Sequence, residues 1–110
     1  MTDTEEKKSA VRKLNDDFRK SFVGGRIVLT RGVVHGLSLE LRREIIRAVQ
    51  SYSEWESGND QHDFGAVQIL GQKFFWKIDC QDLTLTYHSP DASDPKQTRR
   101  VLTIMTASEN

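Results

Sequence analysis

Phe64-Gly65-Ala66-Val67-Gln68-Ile69-Leu70, then Gly71-Gln72, then Lys73-Phe74-Phe75-Trp76-Lys77-Ile78-Asp79 are two alternating runs separated by a glycine. Apolar–polar alternation is the pattern of a half-buried strand, and two such runs set two residues apart read as a β-hairpin. Gly71 at the first central position predicts a type II′ turn over Gly71-Gln72. That register sets Ile69 against Phe74, Val67 against Trp76 and Phe64 against Asp79. Val67, Ile69, Phe74, Trp76 and Ile78 then share one face, which is predicted to be core. Gln68, Phe75, Ala66, Lys77 and Phe64 share the other.

Downstream, Leu83, Leu85 and Tyr87 alternate with Thr84, Thr86 and His88 and predict a third strand. A loop holding both prolines covers 89–98. Val101-Leu102-Thr103-Ile104-Met105 is β-branched and apolar, as in a strand buried on both faces. Asp94-Pro95-Lys96-Gln97 has the N-cap, proline and glutamine of a helix start, so residues 98–106 are read as strand with helix as the alternative.

Upstream, Val11, Leu14, Phe18 and Phe22 are spaced by three or four and form one stripe of an amphipathic helix. Thr2 with Glu5, or Asp3 with Glu6, offers a capping box, Arg19 and Lys20 suit the C-terminal end, and Gly24-Gly25 stops the helix. Arg26-Ile27-Val28-Leu29-Thr30 reads as a short strand. Ser38 is a candidate N-cap for a second helix with apolar Leu41, Ile45, Ala48, Val49 and Tyr52. Residues 53–63 form a polar, acidic loop whose position makes it a functional candidate. The order predicts an α+β domain: two amphipathic helices packed on one face of a mainly antiparallel sheet of four to five strands. One domain over 1–110 is expected, with residues 1–8 a candidate disordered segment.

Hydrophobic residues make up 36% and charged residues 29%, with a mean hydropathy of −0.58, values ordinary for a water-soluble globular protein. No apolar run has the length of a membrane span, and the N-terminus lacks the basic-then-apolar order of a signal peptide, so a cytoplasmic protein is expected. Cys80, the one cysteine, suits a reducing compartment and reads as a small half-buried residue. The net charge is zero, but residues 1–53 carry eleven Lys/Arg against seven Asp/Glu and residues 54–110 five against nine. That balance supports neither a nonspecific nucleic-acid binder nor an acidic DNA mimic, and leaves a dipolar surface suited to another protein.

Four motifs in order carry a resemblance: Gly25-Arg26-Ile27-Val28-Leu29-Thr30-Arg31-Gly32-Val33, His62-Asp63-Phe64-Gly65, Phe75-Trp76-Lys77-Ile78-Asp79 and Arg100-Val101-Leu102-Thr103-Ile104-Met105. From about Asn15 onward the chain resembles a family of small bacterial proteins, mainly alphaproteobacterial and often plasmid-borne, catalogued as a domain of unknown function. Two departures stand out. Cys80-Gln81 takes the place of two tyrosines, and the acidic loop before His62 is shorter than in the family. The resemblance implies no activity, cofactor or catalytic residue.

His62, Asp63, Asp79 and Asp82 are the one constellation that fits divalent-metal binding or acid–base chemistry. They define an alternative reading as a metal-dependent phosphoesterase or nuclease, with His62 and Asp63 catalytic and Asp63, Asp79 and Asp82 as oxygen ligands for Mg²⁺ or Mn²⁺. No nucleophile motif, paired metal histidines or phosphate loop accompanies them. A nucleic-acid-binding alternative rests on Arg42, Arg43, Arg47, Arg99 and Arg100. The favoured reading is a non-enzymatic interaction module without a cofactor. It is a mobile-element accessory protein that binds and modulates a host or element protein, inhibition of a defence nuclease being one version. Its candidate binding residues are Phe75, Lys77, Lys73, Gln68, Arg99 and Arg100.

Overall fold

The computed structural model describes residues 3–109. The elements run α1 (Asp3–Ser21), β1 (Gly25–Leu29), α2 (Arg31–Gly36), α3 (Leu39–Gln50), β2 (Phe64–Ile69), β3 (Gln72–Gln81) and β4 (Arg99–Thr106), closed by a 3-10 turn at Ala107–Glu109. The fold is α+β, with one four-stranded sheet in the order β1-β4-β3-β2, antiparallel except where β1 lies parallel to β4.

The hairpin forms, with its turn one residue earlier than the sequence predicts. Leu70 (φ 51°) and Gly71 (φ 79°) are its central residues, the two positive φ values of a type I′ turn. Gln72 therefore pairs with Ile69, Val67 with Phe74 and Gly65 with Trp76. The partner of every β2 residue moves by two positions, and because strand faces alternate with period two, each side chain keeps its predicted face. Val67, Phe74, Trp76 and Ile78 are buried, together with Leu102 and Ile104 from β4. Phe18 of α1, Val33 of α2 and Ile45 and Val49 of α3 complete that core from one side of the sheet.

Residues 99–106 are a strand, and β4 is central between β1 and β3, which explains why both of its faces hold buried residues such as Ile104 and Met105. Asp94 makes a local turn, its carboxylate accepting from the Lys96 N–H at 2.9 Å. The predicted third strand over 83–88 is a loop except at His88, which forms an isolated antiparallel bridge with Gln81. Asp82 Oδ1 accepts from the Thr84 N–H at 3.1 Å, the Thr84 hydroxyl at 2.7 Å and the Thr86 N–H at 3.2 Å. Leu85 sits at φ 61°. Threonines that alternate like strand residues thus serve a side-chain-capped turn.

Ser38 caps α3 as predicted, its hydroxyl accepting from the Leu41 N–H at 3.2 Å. Residues 3–8, read as a candidate disordered segment, belong to α1, while the capping box at Thr2 or Asp3 falls on side chains outside the described residues. The short α2 is the element that the sequence reading lacks. Its N-terminal Gly32 N–H is held by Glu109 at 2.9 Å, and the same carboxylate accepts from the Thr30 hydroxyl and the Thr106 N–H. These bonds, the Thr30 hydroxyl first, hold the Glu109 pKa down to about 2. A carboxyl depressed on folding contributes stability above its ordinary pKa that is lost as pH falls toward the folded value. Glu109→Gln is therefore expected to flatten the decline in melting temperature between its ordinary pKa and about 2, and an acid titration followed by circular dichroism checks this.

Candidate functional site

The sheet face opposite the helix-packed core gathers most of the candidate binding residues, with Met105 buried on it and the 53–63 loop at its margin. Alternation along the strands, with the observed registers, sets Gln68 beside Lys73, Ala66 beside Phe75 and Met105, and Phe64 beside Lys77 and Thr103. Arg26, Val28, Val101 and Asp79 extend the same face toward β1 and the start of β4. Phe75 lies at the middle of this surface, half-buried, with the Lys73 ammonium 5.9 Å from its ring centroid, at the outer range of a cation–π contact. Phe64 is 53% exposed, and Val28 is exposed as well. Lys77 reaches Asp79 at 3.5 Å, an exposed pair worth little in stability. Lys73 and Lys77 flank Phe75, Glu56 of the 53–63 loop lines the same hollow as Phe64, Lys73 and Phe75, and Arg26 and Arg99 lie with Asp79 toward the β1 end of the face.

Arg100 is not part of that surface. Its position in β4 has the parity of Leu102 and Ile104, so the side chain turns inward and is 5% exposed. Its Nε donates to Asn15 Oδ1 at 2.6 Å and its Nη2 to the Ala92 carbonyl at 2.8 Å, and burial lowers the guanidinium pKa. Arg99, one residue earlier, is exposed.

The His62, Asp63, Asp79 and Asp82 constellation separates. His62 Nδ1 faces Asp16 Oδ1 at 3.0 Å, and its ring stacks on Trp55 with centroids 3.8 Å apart. Asp63 and Asp79 lie close enough to interact. Burial raises the Asp63 pKa, a backbone hydrogen bond lowers it, and the Asp79 charge raises it further. Asp82 is held in its own turn, where the Thr84 hydroxyl lowers its pKa. Among the described residues no three His, Cys, Asp or Glu side chains are grouped to hold a metal ion.

A polar seam under α1 takes His62 instead. Asn15 and Arg19 are each 1% exposed. Asn15 donates to the Gln61 carbonyl at 2.9 Å, which ties α1 to the 53–63 loop as well as to Arg100 of β4. Arg19 donates to Asp16 Oδ1 at 2.8 Å, with its guanidinium carbon 4.8 Å from the Trp55 ring centroid. Trp55 meets Tyr52 and Trp76 edge-on at 4.7 and 5.9 Å. Gly65 must lack a side chain here, since a Cβ would come within 2.7 Å of Trp76 Nε1 and 2.8 Å of the Tyr52 ring. The Trp76 N–H has no hydrogen-bond partner among the described residues. It is surrounded by aromatic rings, whose faces are weak acceptors. The loop singled out for function is thus fastened to the core. Asn15 and Arg19 follow Val11 at steps of four, so spacing alone places them on the buried stripe despite their polarity.

The model of the family DUF3768, described as a protein of unknown function, matches residues 29–109, from the end of β1 through β4. The chain belongs to this family. No curated protein and no solved structure matches it. The DUF3768 match includes the three antiparallel strands and the whole hairpin, so the Phe75 surface falls within the family region except for Arg26 and Val28. No helix among the described residues is long and apolar enough to cross a membrane.

Proposed function

We propose that this DUF3768 protein is a small non-enzymatic module that binds an acidic protein surface through the sheet face opposite its helix-packed core. The observation that carries the reading is the apolar centre at Phe75 and Phe64 on a face where Arg26, Lys73, Lys77 and Arg99 outnumber Asp79 and Glu56. An aromatic anchor surrounded by charge of one sign fits a partner of opposite sign, which fixes orientation and speeds encounter. A cytoplasmic host or mobile-element protein, a defence nuclease complex being one version, is the partner class included in the proposal.

Tagged wild-type protein, Phe75→Ala and the pair Lys73→Glu/Lys77→Glu, with Glu40→Ala on α3 as control, test this by co-purification followed by titration of the recovered protein. Phe75→Ala is expected to cost about 2 kcal/mol or more in binding and no more than about 1 kcal/mol in stability. The Glu40→Ala control is expected to bind like wild type. Partner binding that ignores both face variants overturns the reading. So does salt-sensitive binding of single-stranded oligonucleotides to this face, the behaviour of a stacking platform.

A further inference from the structure

Leu70 departs from the turn chemistry that its own hairpin demands. At φ 51° it fills the first central position of a turn whose second is Gly71 at φ 79°, a pair that asparagine followed by glycine fills best. A leucine there bears the strain of a positive φ, and at 85% exposure it gains little burial within its own chain. A local rule broken without a gain in the folded monomer marks a functional position. Beside the turn, Leu37, Leu41, Ile45, Ile69 and Phe74, with Leu70 itself and Gln72, line a mostly apolar cavity of about 110 Å³. A cavity of ~150 Å³ holds a benzene ring, so this one admits an aliphatic side chain. Leu39, at the start of α3, is 57% exposed.

We propose that the hairpin tip and this cavity form a self-complementary interface through which two copies of the chain pair, each inserting Leu70 into the cavity of the other. A two-fold interface sets a patch against itself, so a protruding residue beside a matching hole satisfies both copies at once. Charge selects the same occupant. By helical spacing Leu41 is flanked on α3 by Glu40 and Glu44 on one side and on the other by Arg42, whose Nε donates to the Leu37 carbonyl at 3.3 Å and whose charge faces the same rim, opposite signs that a two-fold axis can bring together. The Phe75 face differs, because its excess of basic residues would meet the same excess in a second copy. The pairing is therefore independent of the partner surface proposed above.

Sedimentation equilibrium over a wide concentration range tests the pairing. The wild-type chain is expected to rise from its monomer mass of 12.6 kDa toward twice that value. Leu70→Asn, which suits the turn, is expected to raise the dimer dissociation constant about tenfold or more, while its melting temperature in dilute solution stays at or above that of wild type. Leu70→Gly, also compatible with a positive φ, is expected to give the same loss and keeps the test decisive if the asparagine variant misfolds. A wild-type chain that stays monomeric throughout overturns the proposal. So does a Leu70→Asn dimer as tight as wild type, or a dimer abolished by Phe75→Ala but not by the Leu70 variants. Only that last outcome also counts against the partner reading of the Phe75 face, since it shows that a second copy covers it.

Discussion

Trp76→Ala is expected to unfold the protein or leave it barely folded. The side chain is 1% exposed and meets Tyr52 and Trp55 edge-on. The Arg19 guanidinium carbon lies 5.7 Å from its ring centroid. Emptying such a site costs about 3 to 5 kcal/mol, out of the roughly 5 to 15 kcal/mol by which a domain is stable. Its neighbour Phe75, on the other face of the same strand, is expected to tolerate truncation within about 1 kcal/mol. Urea unfolding of the two variants side by side measures the contrast. A near-native Trp76→Ala beside a crippled Phe75→Ala would mean that the sheet buries its other face, and the proposed partner surface would fall with it.

The second large effect is expected at Asp16, whose carboxylate joins the buried Arg19 guanidinium to His62. Asp16→Ala leaves the Arg19 charge, 2% exposed in its side chain, without its ion-pair partner. Asp16 keeps 24% of its side chain exposed, so the loss is expected at about 1 to 3 kcal/mol, below that of a fully buried pair. Asp16→Ala combined with Arg19→Met is expected to recover most of the loss, because an aliphatic chain in that space strands no charge. A double-mutant cycle by thermal unfolding measures the coupling, and single and double variants of equal stability would contradict it. Burial alone would raise the Asp16 pKa, but the hydrogen bonds and charges of Arg19 and His62 lower it. With a folded pKa below the unfolded one, this contribution is present above the ordinary carboxylate range and is lost as pH falls through it.

Much of the fold is legible in the sequence because period and parity survive small errors. The hairpin turn lies at Leu70-Gly71 instead of Gly71-Gln72, yet both registers bury Trp76 and expose the Phe75 face. What misleads is polarity used for packing. Thr84 and Thr86 alternate like strand residues but cap a turn on Asp82, and Asn15, Arg19 and Arg100 are charged or polar yet sit inside. Asn15 and Arg100 are buried because each finds the other across elements, and Arg19 because Asp16 of its own helix and the Trp55 ring of the 53–63 loop hold its guanidinium, so the decisive partners come from residues as far apart as 15 and 100. The same limit applies to the candidate site. Gln68, Lys73, Phe75 and Lys77 share a face by alternation alone. His62 reads as a catalytic candidate until Asp16, 46 residues away, claims its ring nitrogen.

The placement of β4 bears on how the chain acquires its shape. It is the last strand in sequence and a central one in space, pairing with β1 on one side and β3 on the other. During synthesis α1, β1, α3 and the hairpin all emerge before the strand that joins them, so β1 lacks its neighbour and β3 keeps an unpaired edge until residues 99–106 are released. Long-range pairing of this kind folds slowly and leaves strand edges open to other chains in the interval. A ribosome stalled before Arg99 would therefore hold a nascent chain with three helices, a hairpin and no complete sheet to fold onto.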